Sequence, residues 1–327
     1  MTTLKIQLIQ LSILIMLTLS SKLTVLGLLS KYTMFVVFTT QTQLTLSSMS
    51  KAPFAGPCRV LAIANNKGGV AKTTSTVSLG SCLRWMGFRV LLVDMDPQAN
   101  LTTNLAGKGF EPESHMGDVL SGALPIQQII LSYEPVEGED PEQKQLGSNL
   151  DYAPASYLMN LMESGLQKKR EYPTMLRTAL RAVRPFYDFI LIDTPPNLQT
   201  YMHLSLTAAD AWAIPVEPEL FGQEGLIKIM EAVESIKDVS NPSLQLLGLF
   251  FTRFNPKIRN STHQEIVDEL TREFGADKIL QNIRKDASMI KAQRRTHTIQ
   301  YLAPESNVAA DYRALTHQLL AQLNPTA

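Results

Sequence analysis

The sequence predicts an α/β protein with a doubly wound, mostly parallel sheet and helices on both faces. Three observations carry this expectation. Short apolar runs at 90–93, 189–192, 211–216 and 244–252 read as strands, and the last alternates too little to be half exposed, as in a buried parallel sheet. Segments of helical character stand between them, at 73–85, 157–169, 173–183 and from near Gly222, so strands and helices alternate along the chain. Acidic residues close two of the apolar runs, at Asp94 and Asp193, where the crevice of an open α/β sheet lies. With 327 residues, 45% hydrophobic and 18% charged, the chain can bury a full core, and we expect one large domain over 49–327.

Residues 60–74, VLAIANNKGGVAKTT, hold the most specific signal. An apolar run feeds a glycine turn that closes on lysine and two threonines. The strict pattern G-x-x-x-x-G-K-[ST] fails at both glycines, because Asn66 and Ala71 stand there, and K-G-G-x-x-K-[ST] remains. Gly68 and Gly69 let the backbone curl so that successive N–H groups meet one anion, and the following helix adds its positive end. The candidate nucleotide-binding residues are therefore Lys67, Gly68, Gly69, Val70, Ala71, Lys72, Thr73 and Thr74. Lys72 is placed to reach the phosphates and Thr73 to ligate the Mg²⁺ that rides on them. With alanine at position 71, we expect loop dihedrals there that suit a residue with a Cβ.

The acids after the apolar runs complete the chemistry. Asp193 can hold Mg²⁺ through water, and Asp96 can orient the water that attacks a terminal phosphate. Asp94 fits a capping or loop-pinning role at least as well as a metal role.

KGGVAKTT, VDMDPQAN, YDFILIDTPPN and LTAADAWAIPVEPELFGQEGL fall in one order, and from about Arg59 to its end the chain resembles the ParA/Soj proteins of the MinD-type deviant Walker ATPases. That resemblance implies a P-loop NTPase fold, ATP and Mg²⁺ as cofactors, and an ATPase of weak intrinsic activity. It implies a homodimer formed on ATP binding, with Lys67 reaching the partner's phosphates and Lys72 contacting its own. It further implies non-specific DNA, a ParB-like adaptor as partners, and a cytoplasmic, nucleoid-associated location. Cys58 and Cys82 form no cluster-bridging pair of the kind used by iron–sulfur relatives of this class.

Net charge is zero, so nucleic-acid binding requires a local patch. Residues 283–295 pack five basic residues around one acid, just after an expected strand. The resemblance places DNA-contacting arginines in this stretch, and the match is partial: Lys285 stands at one such position, Ser288 at another, and Lys291 replaces a usual acid. The candidate DNA-binding residues are Lys257, Arg284, Lys285, Lys291, Arg294 and Arg295, with Arg259 extending the patch. Lys168, Lys169, Arg170, Arg177, Arg181 and Arg184 read as a solvated face.

Residues 1–48 form an apolar leader without an acid, and its three lysines interrupt every run before the roughly 18 residues a spanning helix needs. We expect the native chain to begin at Met49, with Met34 or a genuine membrane-associating leader as alternatives, and no stable membrane insertion. The acidic stretch 134–142 reads as a surface loop. A MinD-like membrane ATPase is the rival reading. It needs a C-terminal amphipathic helix with a basic face, and 310–327 offers only Arg313.

Overall fold

Five short runs of aliphatic and aromatic residues become strands: Arg59–Ile63 (β1), Val90–Asp94 (β2), Leu150–Ala153 (β4), Phe189–Asp193 (β5) and Ala211–Val216 (β6). Nearly all of their residues are buried. With Leu131–Ser132 (β3) and Gln245–Phe251 (β7) they make a seven-stranded sheet in the order β3-β4-β2-β5-β1-β6-β7. Every neighbouring pair is parallel except β3 with β4. The computed structural model describes residues 56–133, 149–219, 222–256 and 261–323. The leader, the acidic stretch 134–142, and Lys257 with Arg259 lie outside the described residues.

Alternate strand residues face opposite layers. Leu61, Ile63, Val90, Leu92, Phe189 and Leu191 share one apolar core with Lys72–Trp85 (α1) and the C-terminal Asn307–Leu323 helix. Their neighbours Val60, Ala62, Leu91, Val93, Ile190 and Ile192 are equally buried, so both faces of the sheet are covered. The doubly wound class expected from the sequence is the class observed. The helices between strands are Asn100–Ala106 (α2), Met116–Ser121 (α3), Met159–Gln167 (α4), Met175–Arg181 (α5), Thr200–Ala208 (α6) and Gly222–Val239 (α7). Beyond β7 follow Ser261–Phe274 (α8), Ala287–Arg294 (α9), Ile299–Leu302 (α10) and the C-terminal helix, α11.

The stretch 107–154 holds more regular structure than its glycine and proline content suggests. Strand β4 is hidden in the sequence by Asp151, an acid inside a core strand. Its carboxylate is accommodated because it accepts from the Ser132 hydroxyl at 2.7 Å and the Tyr187 hydroxyl at 2.8 Å. The strand expected just before Ile283 is reduced to two isolated parallel bridges, Leu249 with Ile279 and Thr252 with Ile283. Helix α11 sinks Val308, Tyr312, Leu315, Leu319 and Leu323 into the core, so its apolar face is already occupied. No helix among the described residues is long and apolar enough to cross a membrane.

One feature of topology positions the site. β5 lies between β1 and β2, although it follows both, with several helices and strands between, in the chain. In register, Ile63 and Asp94 both pair with Asp193, which brings the loop after β1 and the acids after β2 to the two sides of one carboxylate.

Candidate functional site

The loop between β1 and α1 has the form of an anion cradle. Gly69 adopts φ +79°, in the left-handed region, and an added Cβ there would meet nothing within 4 Å; the requirement is one of backbone conformation. Ala71 also lies in the left-handed region, at φ 67° and ψ 30°, which corrects the expectation of ordinary dihedrals at that position. Ala71 is the N-cap residue of α1, so the left-handed conformation falls at the junction of loop and helix. An alanine in that region costs about 1 kcal/mol relative to glycine. No side chain caps α1, and its first turn carries no acid, so the amide donors of that turn remain available to an anion. Val70 is buried, with its carbonyl accepting from the Thr252 hydroxyl at 3.3 Å, so its contribution to a ligand is limited to its backbone.

The two lysines are held differently. Lys72 is 7% exposed and donates from Nζ to the Lys67 carbonyl at 2.8 Å, which leaves two of its three protons for phosphate oxygens. Burial draws its pKa down to about 8, against the pull of Asp193 and Asp96. Lys67 sits at the mouth and pairs with Glu219 at 2.8 Å, with side-chain exposures of 26% and 53%. A pair so exposed contributes about 0–1 kcal/mol, so Lys67 is cheaply released to another anion.

Two carboxylates, Asp193 and Asp96, act on Lys72, and a third, Asp94, lies beside them. Asp94 is fully buried and accepts from the Thr102 amide at 2.9 Å, the Thr102 hydroxyl at 2.7 Å and the Asp96 amide at 3.2 Å. All of its bonds fasten the loop that carries Asp96, so of the roles open to it the structure favours loop pinning. Its pKa is pushed up to about 7, chiefly by burial. Asp96 accepts from the Gln98 amide at 2.9 Å, and burial raises its pKa while Lys72 lowers it. Asp193 is fully buried, and its pKa is held well above the usual carboxylate range by desolvation and then by the nearby Asp94.

Asp193 Oδ2 has no hydrogen-bond partner, and the Thr73 hydroxyl stands close enough to favour the ionised carboxylate. An orphaned carboxylate oxygen beside a hydroxyl, in a crowd of three acids that resist ionising together, fits a hard divalent cation such as Mg²⁺, which would favour their charged forms. Thr73 and Asp193 would hold it, with phosphate oxygens and water supplying further ligands.

Lys72, Thr73 and Asp96 open onto a cavity of about 490 Å³, within the range of roughly 300–1,000 Å³ typical of small-ligand sites. Gly68, Gly69, Ala71, Lys72, Thr73 and Thr74 line it, together with Asp96. Over residues 58–246 the chain matches the family model AAA_31, described as an AAA domain. It is 37% identical over 227 residues to the chromosome partitioning protein ParA of Caulobacter vibrioides, covering 69% of this chain and 79% of that one. It is 32% identical over 264 residues to the sporulation initiation inhibitor protein Soj of Bacillus subtilis, covering 80% and 98%. The chain belongs to the ParA/Soj family. The fold agrees with that of the cobyrinic acid a,c-diamide synthase of Mycobacterium smegmatis, solved with bound ADP and magnesium, at a TM-score of 0.66, 25% identity, and coverage of 82% and 96%.

Within this ParA/Soj fold the candidate DNA-binding residues separate. Lys285, Lys291, Arg294 and Arg295 are exposed, and none makes an ion pair with another described residue. Arg284 is engaged: its guanidinium meets Asp311 at 2.6 Å and donates to the Asn307 side chain at 3.1 Å. Arg253, Lys108, Gln293 and Arg294 also line the cavity, and the sequence marks none of them as part of the nucleotide site. Arg253 lies two residues beyond β7 with φ 55°, and its guanidinium pairs with Glu217 at 2.9 Å.

The lowered pKa of Lys72 has a measurable consequence. Above pH 8 the free protein progressively loses the Lys72 proton, whereas bound phosphate favours the charged amine. Binding of ATP at pH 8.5–9 is therefore expected to take up a fraction of a proton, and affinity to fall as pH rises through 8. Calorimetric titration in buffers of different ionisation enthalpy checks this. A heat independent of buffer at pH 9 would contradict it.

Proposed function

We propose that this chain is an ATP-dependent dimerising switch that binds DNA without sequence preference and positions or segregates a chromosome, a plasmid or another cargo. The observation that carries the reading is the joining of an uncapped glycine-turn helix, Lys72, Thr73 and Asp96 around one cavity, with Asp193 acting on Lys72 and an exposed basic helix alongside. The partitioning names of the relatives that cover most of the chain support it.

In this reading the cradle from Lys67 to Thr74 takes the phosphates of ATP. Mg²⁺, held by Thr73 and Asp193, supplies neutralisation of phosphate charge. Lys72 contacts the phosphates of its own subunit. Lys67 leaves Glu219 and reaches those of a second copy, so that nucleotide joins the dimer. Asp96, fixed at the end of a loop that Asp94 pins, orients the water for hydrolysis. Pairing two copies doubles the basic contacts to DNA without a second loss of translational freedom. Hydrolysis then ends the DNA-bound state, and a ParB-like adaptor on the cargo is the partner that triggers it at the nucleoid.

Retention of the full-length chain on DNA, measured with ATP, with ADP and without nucleotide at two salt concentrations, tests the reading. The expected result is salt-sensitive, sequence-independent retention with ATP alone. Equal retention in all three states, or none in any, would overturn it.

A further inference from the structure

The basic helix α9 is attached to the phosphate cradle. The Gln293 side-chain amide donates to the Thr74 hydroxyl at 2.9 Å, across 219 residues of sequence. Thr74 lies in the first turn of α1 and on the cavity wall, so this bond fastens the last turn of α9 to the cradle where a phosphate would sit. On the helix, Met289 and Ala292 turn to the core, which sets the rotation of the other side chains. Lys291 and Arg295 then fall on the side away from Gln293, and Arg294 falls between them and Gln293.

Arg294 therefore differs from the other basic residues of its segment. It lines the cavity of about 490 Å³ together with Gly68, Gly69, Lys72 and Asp96, whereas Lys285, Lys291 and Arg295 do not. Its guanidinium has no ion-pair partner among the described residues, in contrast to Arg284, which Asp311 neutralises. An arginine without a carboxylate partner, on the same cavity as a phosphate cradle to which its neighbour Gln293 is bonded, has the planar fork suited to phosphate oxygens.

We propose that Arg294 is a nucleotide-binding residue, with Gln293 fixing helix α9 on the cradle so that the Arg294 guanidinium closes the open side of the phosphate chain. The assignment rests on the reading of the cavity as an ATP site. It removes Arg294 from the DNA-binding strip, where its sequence neighbourhood places it, and leaves Lys291 and Arg295 as basic residues of the segment that stay off the cavity wall. It also links the two ligands, because occupancy of the cradle and the position of the basic helix share the Thr74 hydroxyl.

The test is titration of the full-length chain with a fluorescent ATP analogue and Mg²⁺, followed by DNA retention at saturating ATP. Arg294→Ala is expected to raise the analogue's Kd about tenfold, as for loss of one charge-assisted contact, with Arg294→Lys intermediate. Lys291→Ala and Arg295→Ala are expected to bind the analogue within about twofold of the unmodified chain and to lose DNA affinity instead. If Arg294→Ala lowers the melting temperature, Arg294→Gln carries the test with the same expected loss. Analogue binding by Arg294→Ala within twofold of the unmodified chain overturns the assignment, as does an equal loss in Arg295→Ala, which would mark a general charge effect. An unmodified chain that binds no analogue overturns the ATP reading itself.

Discussion

Lys72→Ala is expected to raise the Kd for ATP about a hundredfold, with the fold intact. The magnitude follows from removing a charged donor from a buried site, worth about 3 kcal/mol at the upper end for hydrogen bonds to ionised groups. Lys72 is 7% exposed, and both Asp193 and Asp96 act upon its ammonium. Water cannot replace it readily in that position. The fold should tolerate the change, because Nζ makes its only described bond to the Lys67 carbonyl, at the exposed mouth of the loop. Fluorescent-analogue titration gives the affinity and a thermal melt gives the stability. An affinity within threefold of the unmodified chain would show that the phosphates do not lie on this wall.

Asp96→Ala is expected to lower turnover about 10²- to 10⁴-fold, the range for loss of a positioned general base, while ATP affinity changes little. Two features separate Asp96 from its neighbours. Asp94 has both oxygens committed to Thr102 and Asp96 amides, and Asp193 lies beside Thr73 as the expected cation ligand. Asp96 spends one oxygen on the Gln98 amide and still faces the cavity. The variant should accumulate in the ATP-bound, DNA-retained state. Phosphate release at saturating ATP is the readout, and unchanged turnover would remove Asp96 from the water-orienting role.

Much of this site is legible in the sequence because its parts are contiguous. Gly68, Gly69, Lys72 and Thr73 occupy one turn, and Asp96 and Asp193 announce themselves as acids ending apolar runs. Their convergence is not legible, because it depends on β5 inserting between β1 and β2, which chain order does not display. The conformation of Ala71 escapes for a different reason: residue type suggests a right-handed backbone, and the turn onto α1 imposes φ 67°. Strand β4 is masked by Asp151, whose partners Ser132 and Tyr187 lie on other elements. The basic segment 283–295 reads as one strip, yet its arginines are sorted by distant contacts. Arg284 is taken by Asp311 on α11, and Gln293 is bound to Thr74 on α1, so composition overstates what faces outward.

Lys67 bears on the central claim, that ATP joins two copies of the chain. In the single subunit its amine rests on Glu219, in a pair too exposed to hold it strongly. The most direct measurement is the mass in solution of the full-length Asp96→Ala chain by light scattering, with Mg²⁺ and either ATP or ADP. The account predicts twice the chain mass with ATP and the single mass with ADP, with the doubling abolished by the additional change Lys67→Ala. A single mass with saturating ATP, or a dimer that forms equally with ADP, would contradict it.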